Sequence, residues 1–205
     1  MPISTAVLLQ RFSQTDFGEV AYELVQHAFQ IHDELGRVFH ESTYRSALQQ
    51  IFGSRAIQEF QICLEHGRFR KELYIDLVVD RGCPFELKSV TSLTAAHQSQ
   101  LIQYLMLTDL LHGKLLNFGK DRVEHQFVNS LTQLEDRRSF EIDRIDWSGT
   151  GSMERLEQIA VPLLNDWGTG LSRSVYQEAI LVLAGGGESC CRFTDTFWQG
   201  NRVGR

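Results

Sequence analysis

The chain has 205 residues, 42% of them hydrophobic and 22% charged, with a formal net charge of −6. That composition is ordinary for a soluble globular protein, and the length suffices for one domain with a real core and an appendage. No apolar run is long enough to span a membrane, and the acidic balance argues against a general polyanion binder, because phosphate contacts are made by Lys and Arg.

Residues 1–15 are rich in Ser, Gln and Thr and read as a loose lead-in. Met1-Pro2-Ile3-Ser4 has no basic segment ahead of its short apolar stretch, so no secretory signal is expected and the protein is expected in the cytoplasm. The four cysteines, Cys63, Cys83, Cys190 and Cys191, fit no zinc spacing and no disulfide framework. They are expected to be reduced packing residues.

A first helix is expected from about Phe17 to Glu34, with Val20, Leu24, Ala28, Ile31 and Leu35 as its buried stripe. A turn at Leu35–Phe39 leads to a second helix from Glu41 to about Phe52, burying Tyr44, Leu48 and Ile51, which Gly53 ends. Glu41 falls in its first turn, where a carboxylate also favours the positive end of the helix dipole. Strands follow near Ile57–Leu64, Arg68–Val79 and Cys83–Lys88, the first two joined by a turn at His66-Gly67. Leu93, Ala96, Leu101, Leu105 and Leu111 then recur at roughly helical spacing, which places Gln100 and Tyr104 on one helix face. His97 reads as a capping or packing residue, with no Cys or His at ligand spacing from it. Two more strands are expected at Lys114–Phe118 and Glu124–Val128.

Three charges stand inside the strand runs Tyr74–Val79 and Phe85–Lys88. A buried charge is costly unless paired or bound to a metal. By alternation Ile75, Leu77 and Val79 share one face and Asp76 takes the other; Phe85 and Leu87 share a face opposite Glu86 and Lys88. Asp80-Arg81-Gly82 reads as a three-residue hairpin loop with Gly at the left-handed position, pairing Val79 with Cys83. That register sets Asp76 opposite Glu86, whereas a two-residue loop would set it opposite Leu87. Two carboxylates and an ammonium then converge. Two oxygen ligands, completed by water, suit a hard cation such as Mg²⁺. The Lys could orient or deprotonate an attacking water, or stabilise charge developing at phosphorus. On residue types alone, a salt-bridge ladder on a solvated sheet face accounts for the same pattern. Arg68, Arg70 and Lys71 on a hairpin, and Arg37 and Arg45 near Glu41, are the local basic candidates.

In order along the chain stand Glu41-x-x-Tyr44, Asp76, Glu86-Leu87-Lys88 and Gln100-x-x-x-Tyr104. Together they resemble the PD-(D/E)XK nuclease superfamily, and most of all its small GxxExxY branch, over roughly Phe17 to Val128. The Gln-x-x-x-Tyr step resembles the exonuclease-type branch, and Leu115–Gly119 is similar to the strand that closes the fold. One departure stands out: the Gly three residues before the Glu is Val38, although Leu35-Gly36 is kept. The resemblance implies a restriction-endonuclease-like α/β fold, a mixed sheet flanked by helices. It implies Asp76, Glu86 and the Leu87 carbonyl as ligands of Mg²⁺ or Mn²⁺, and Lys88 as the catalytic lysine. Glu41 would be an auxiliary acid, with Gln100 and Tyr104 supporting. The implied activity is hydrolysis of phosphodiester bonds in nucleic acid, DNA ahead of RNA; the alternative is a catalytically inactive module of the same fold that binds nucleic acid or a protein partner.

Asp146–Ser152 reads as a linker, dividing the chain into a domain at 1–145 and a segment at 146–205. Asp166 through Ile180 aligns with Asp33 through Leu48 at a constant offset of 132, placing Gly168 on Gly36, Tyr176 on Tyr44 and Ala179 on Ala47. Leu156–Leu164 would repeat the first helix, and Trp198–Arg202 resembles the turn at His66–Arg68. The segment therefore reads as a degenerate, mainly helical partial repeat. Gly170 restores the Gly that Val38 lacks, and Arg173 replaces Glu41. Chance similarity of two helix–turn–helix stretches is the competing reading. Such a fragment has too little core to stand alone, so it is expected to pack on the first domain or to form a homodimer interface.

Overall fold

The structure is a computed structural model that describes residues 2–144, 151–186, 196–198 and 201–204. Its elements are β1 (Ile3–Thr5), α1 (Gln14–Leu35), α2 (Glu41–Phe52), β2 (Ala56–His66), β3 (Phe69–Val79), β4 (Cys83–Lys88), α3 (Ala95–Thr108), β5 (His112–Asn117), β6 (Glu124–Asn129), α4 (Leu134–Arg138), α5 (Gly151–Trp167), α6 (Arg173–Leu183), β7 (Thr196–Trp198) and β8 (Asn201–Gly204). Strands β1 to β6 form one sheet in sequence order. Neighbours are antiparallel except β4 and β5, which run parallel and are linked through α3. This is the mixed sheet with flanking helices of a restriction-endonuclease-like α/β fold. No helix among the described residues is long and apolar enough to cross a membrane.

The sheet divides two cores. On one side α1 and α2 bury Phe17, Leu24, Ala28, Tyr44 and Leu48 against Leu77, Phe85, Leu87 and Leu116. On the other, α3, α5 and α6 bury Leu101, Leu105, Trp167 and Val175 against Phe60, Ile62, Ile75 and Leu115. Ser13 caps α1 by accepting the Asp16 N–H at 3.1 Å. Gly36, at a φ of +75°, ends it with its N–H on His32 O.

Several expectations need correction. The lead-in is not loose: Ile3–Thr5 pair with Ile62–Leu64, and Gln10 N–H donates to Arg81 O at 2.9 Å. Ile3, Val7 and Leu9 also pack partly buried against the core on the α3 side, and Phe12 against the other. In α2 it is Phe52 that is buried, while Ile51 is 46% exposed; Phe52 lies four residues after Leu48 and so continues its face. Asp80-Arg81-Gly82 does pair Val79 with Cys83. However, Asp80 (+50°) and Arg81 (+57°) take the left-handed positions, as in a type I′ turn. Gly82 serves close approach instead: a Cβ there would meet Gln10 O at 2.2 Å. The face alternation in β3 also breaks, since Ile75 packs with the α3 side and Leu77 and Val79 with the α1 side. The break coincides with Glu59, at a φ of +46°, where the β2–β3 ladder skips the Glu59–Asp76 pair.

The two helical turns at offset 132 make the same hydrogen bonds. Tyr44 OH donates to Gly36 O at 2.7 Å and accepts the Phe39 N–H; Tyr176 OH donates to Gly168 O and accepts the Leu171 N–H. Gly168 has a φ of +74° and its N–H bonds Leu164 O, as Gly36 bonds His32 O. Buried Arg137 of α4 ties the second turn down, its guanidinium donating to Trp167 O at 3.0 Å, Thr169 O at 2.9 Å and Met106 O at 2.5 Å. The linker at 146–150, Cys190, Cys191 and the Gln199-Gly200 step lie outside the described residues, although Gly151 and Ser152 already belong to α5.

Candidate active site

Beyond the Leu77–Phe85 pair the β3–β4 ladder ends. The strands part where Asp76 and Glu86 would have faced each other. A main-chain donor released by that parting needs a new partner, and the Leu87 N–H finds it in Asp76 Oδ2 at 2.8 Å. Asp76 Oδ1 accepts from Arg45 Nη1 at 2.9 Å, and Arg45 Nη2 reaches Glu59 Oε1 at 2.7 Å. Helix α2 therefore supplies a cation to the carboxylate of β3.

Glu86 is 2% exposed. Its Oε1 accepts from Lys88 Nζ at 2.7 Å and from Gln100 Nε2 at 2.8 Å. Its Oε2 is buried with no partner among the described residues. Burial, then the charge of Asp76, pushes the Glu86 carboxyl up to about 7. Burial alone would lower the Lys88 ammonium, but the Glu86 charge and hydrogen bond outweigh it and hold Lys88 above its usual range. Gln100 also donates to Tyr104 OH at 3.1 Å, and burial raises the Tyr104 hydroxyl. Glu41 Oε1 accepts the N–H of Ser89, the residue after Lys88, at 3.0 Å.

Hydrogen bonds thus join Asp76 to Leu87, and Glu86 to Lys88, Gln100 and through it Tyr104; the two sets meet in the main chain of β4, and Glu41 is joined through Ser89. His97 lies outside this group, its Nδ1 accepting the Thr94 N–H at the start of α3. Two supports escaped sequence reasoning. Arg45 was visible only as a basic residue near Glu41, yet it pairs with Asp76. Asn117, fully buried, bonds both the N–H and the carbonyl of Val90 and so holds the segment leaving Lys88; the parallel register of Asn117 beside Lys88 is its only signal, and that needs the fold.

The other basic candidates are engaged. Arg37 pairs with Asp121, Arg70 with Glu65 and Glu72, and Lys71 with Glu178, while Arg68 donates to Val182 O. They do not form a free cationic strip.

The residues fit a divalent ion by one feature above all: an ionisable carboxylate with an orphaned buried oxygen next to a second carboxylate. Among the described residues no three His, Cys, Asp or Glu side chains are grouped to hold a metal. An ion would draw on Asp76, Glu86 and the Leu87 carbonyl, with water and substrate completing its shell.

No curated protein matches the chain. Among solved structures, that of SSO0001 is 22% identical, with a TM-score of 0.37; the match covers 58% of this chain and 61% of that one. The model of the PD-(D/E)XK nuclease superfamily matches residues 18–129, which include every residue of the linked group. With more than half of its length matched, the chain belongs to the PD-(D/E)XK nuclease superfamily.

Proposed function

We propose that the protein is a divalent-metal-dependent phosphodiesterase acting on nucleic acid, with Asp76, Glu86 and the Leu87 carbonyl holding Mg²⁺ or Mn²⁺. The observation that carries this reading is the Glu86 carboxyl, buried, raised and lacking a partner on one oxygen beside Asp76. When bound, the ion would neutralise the two carboxylates and polarise a phosphate oxygen. Lys88, hydrogen-bonded to Glu86, would orient the attacking water or stabilise charge building on the phosphate. Gln100, itself bonded to Tyr104, fixes the Glu86 carboxyl. Glu41 fixes the main chain just beyond Lys88.

Within the superfamily we place the chain in the GxxExxY branch. Val38 is 84% exposed and has no positive φ, so its departure from Gly does not strain the turn. We also read residues 146–205 as a partial second copy of the α1–α2 unit; the shared Tyr–Gly bonds at offset 132 support this reading. That copy has Arg173 where the first has Glu41. We propose that this copy also mediates a homodimer, which sedimentation velocity of the full chain tests.

A catalytically inactive binding module is the second reading, favoured by the ion pairs that occupy Arg37, Arg70 and Lys71. The test is cleavage of single- and double-stranded DNA, then RNA, with Mg²⁺ or Mn²⁺, by wild type, Asp76→Ala and Lys88→Ala. Cleavage by wild type alone, with all three proteins folded, supports the nuclease. Undiminished cleavage by both variants sinks it, and metal-independent binding without turnover selects the inactive module.

A further inference from the structure

Away from the site just described, a cleft of about 460 Å³ opens between α1 and the pair β5–β6. That volume lies in the range of small-molecule sites. Tyr22, Phe29 and Phe127 give it aromatic walls, and Gly18 and Ala21 leave the α1 side open. Tyr22 is 67% exposed and Phe127 51%, so the mouth is accessible and apolar.

Lys114 also lines this cleft, and it is only 3% exposed. Its Nζ lies 3.4 Å from the centroid of the Phe127 ring. Among the described residues no carboxylate pairs with it; burial lowers its pKa and no acid opposes that. Its stem is buried and its ammonium lies on the ring without a carboxylate, and a cation–π contact supplies none of the hydrogen bonds a counter-ion would. The natural remedy is an anion supplied from outside. His125, beside it, is held toward its neutral form by burial and by Lys114, so it adds a hydrogen-bonding group without a second charge. One cation among apolar and aromatic walls suits a singly charged head on an apolar stem. A phosphate dianion would need more donors than the cleft offers.

We propose that the cleft between α1 and β5–β6 is a binding site for a small amphipathic monocarboxylate, whose carboxylate pairs with Lys114 and whose aromatic or aliphatic stem packs on Phe127, Phe29 and Tyr22. The site does not depend on the nuclease reading.

The experiment is isothermal titration of the full chain with phenylacetate and hexanoate, and with uncharged 2-phenylethanol as the comparison. Wild type is expected to bind at least one acid saturably, and more tightly than the alcohol by tenfold or more. Lys114→Met should lose at least tenfold in affinity, and Lys114→Arg should retain most of it. Should the Met variant fail to fold, the ¹⁵Nζ resonance of Lys114 in wild type gives the second readout and must shift on saturation with acid. Absence of saturable binding of both acids, binding unchanged in Lys114→Met, or a Lys114 resonance indifferent to them overturns the proposal. So does self-association abolished by Lys114→Met without acid binding, which would make the face a contact between copies.

Discussion

Replacing Glu86 by Gln should make the metal-free protein less sensitive to pH. The buried carboxyl ionises near 7 in the folded chain and near 4.5 when unfolded. Between those values the folded state holds the proton that the unfolded state has lost, so stability must fall as pH rises through this window. At ~1.4 kcal/mol per pH unit the whole loss is about 3 kcal/mol. For a chain of this size that corresponds to roughly 6–12 °C in Tm, at about 2–4 °C per kcal/mol. Gln keeps the shape and still offers Lys88 and Gln100 an oxygen acceptor, but it does not titrate. Urea denaturation in chelator at pH 5 and pH 8 separates the two proteins, and groups common to both cancel. Wild type should lose about 2–3 kcal/mol more than Glu86→Gln over that span, which begins half a unit above the unfolded value, and Mg²⁺ at pH 8 should restore stability to wild type alone. Parallel pH dependence in the two proteins would refute the account, because Glu86 would then be hydrated or paired in a way the buried, orphaned Oε2 denies.

Arg137→Ala should cost about 3–5 kcal/mol in urea denaturation, since three main-chain carbonyls at Met106, Trp167 and Thr169 lose a buried charged donor. Tyr44→Phe and Tyr176→Phe should each cost about 1–2 kcal/mol, keeping the ring and losing the bonds to Gly36 or Gly168. Only Tyr44→Phe should also slow cleavage, because Glu41 lies on the same turn; equal kinetic effects would contradict the assignment of chemistry to the first copy. Gly82→Ala should cost about 1–3 kcal/mol, as its Cβ must displace Gln10 O and the Phe12 ring, and thermal unfolding reads this directly.

Much of the site was legible because its residues are local in sequence and their register follows from one turn. Three residues between Val79 and Cys83 set a register that runs as far as Leu77 opposite Phe85, one pair short of the expected Asp76–Glu86 pairing, and a spacing of four puts Gln100 and Tyr104 on one face of α3. What was not legible depends on distant contacts. Arg45 looks like any helical arginine until α2 is packed beside β3, and Asn117 looks like a strand end until β5 lies parallel to β4. Strand β1 was hidden for a related reason: Ile-Ser-Thr has little apolar pattern, and pairing with Cys63 and its neighbours makes it a strand. The left-handed Asp80 and Arg81 show that a Gly in a loop does not mark which residue takes the strained position. There the sequence signal was spent on close approach of the main chain at Gly82.

The site is made by the places where the sheet stops being regular. Had β3 and β4 stayed paired past Phe85, the Leu87 N–H would have met a strand carbonyl and Asp76 would have stood as a side chain on a sheet face. Because the ladder ends one pair earlier, Asp76 becomes the acceptor for that N–H, and the same carboxylate reaches Arg45 on α2. Glu59, opposite Asp76 on β2, takes a positive φ that costs a non-glycine residue roughly 1–2 kcal/mol. Its ion pair with Arg45 is made by a side chain 64% exposed and returns little of that. The local backbone is therefore held by the packing around it, with Phe60 and Ile75 buried on one side of the break and Leu77 on the other. Strain of this kind, next to two carboxylates that the protein's own donors fix on three of their four oxygens, fits a site whose geometry is set before any ligand arrives. The fourth oxygen, Glu86 Oε2, is the one of the four with no partner among the described residues.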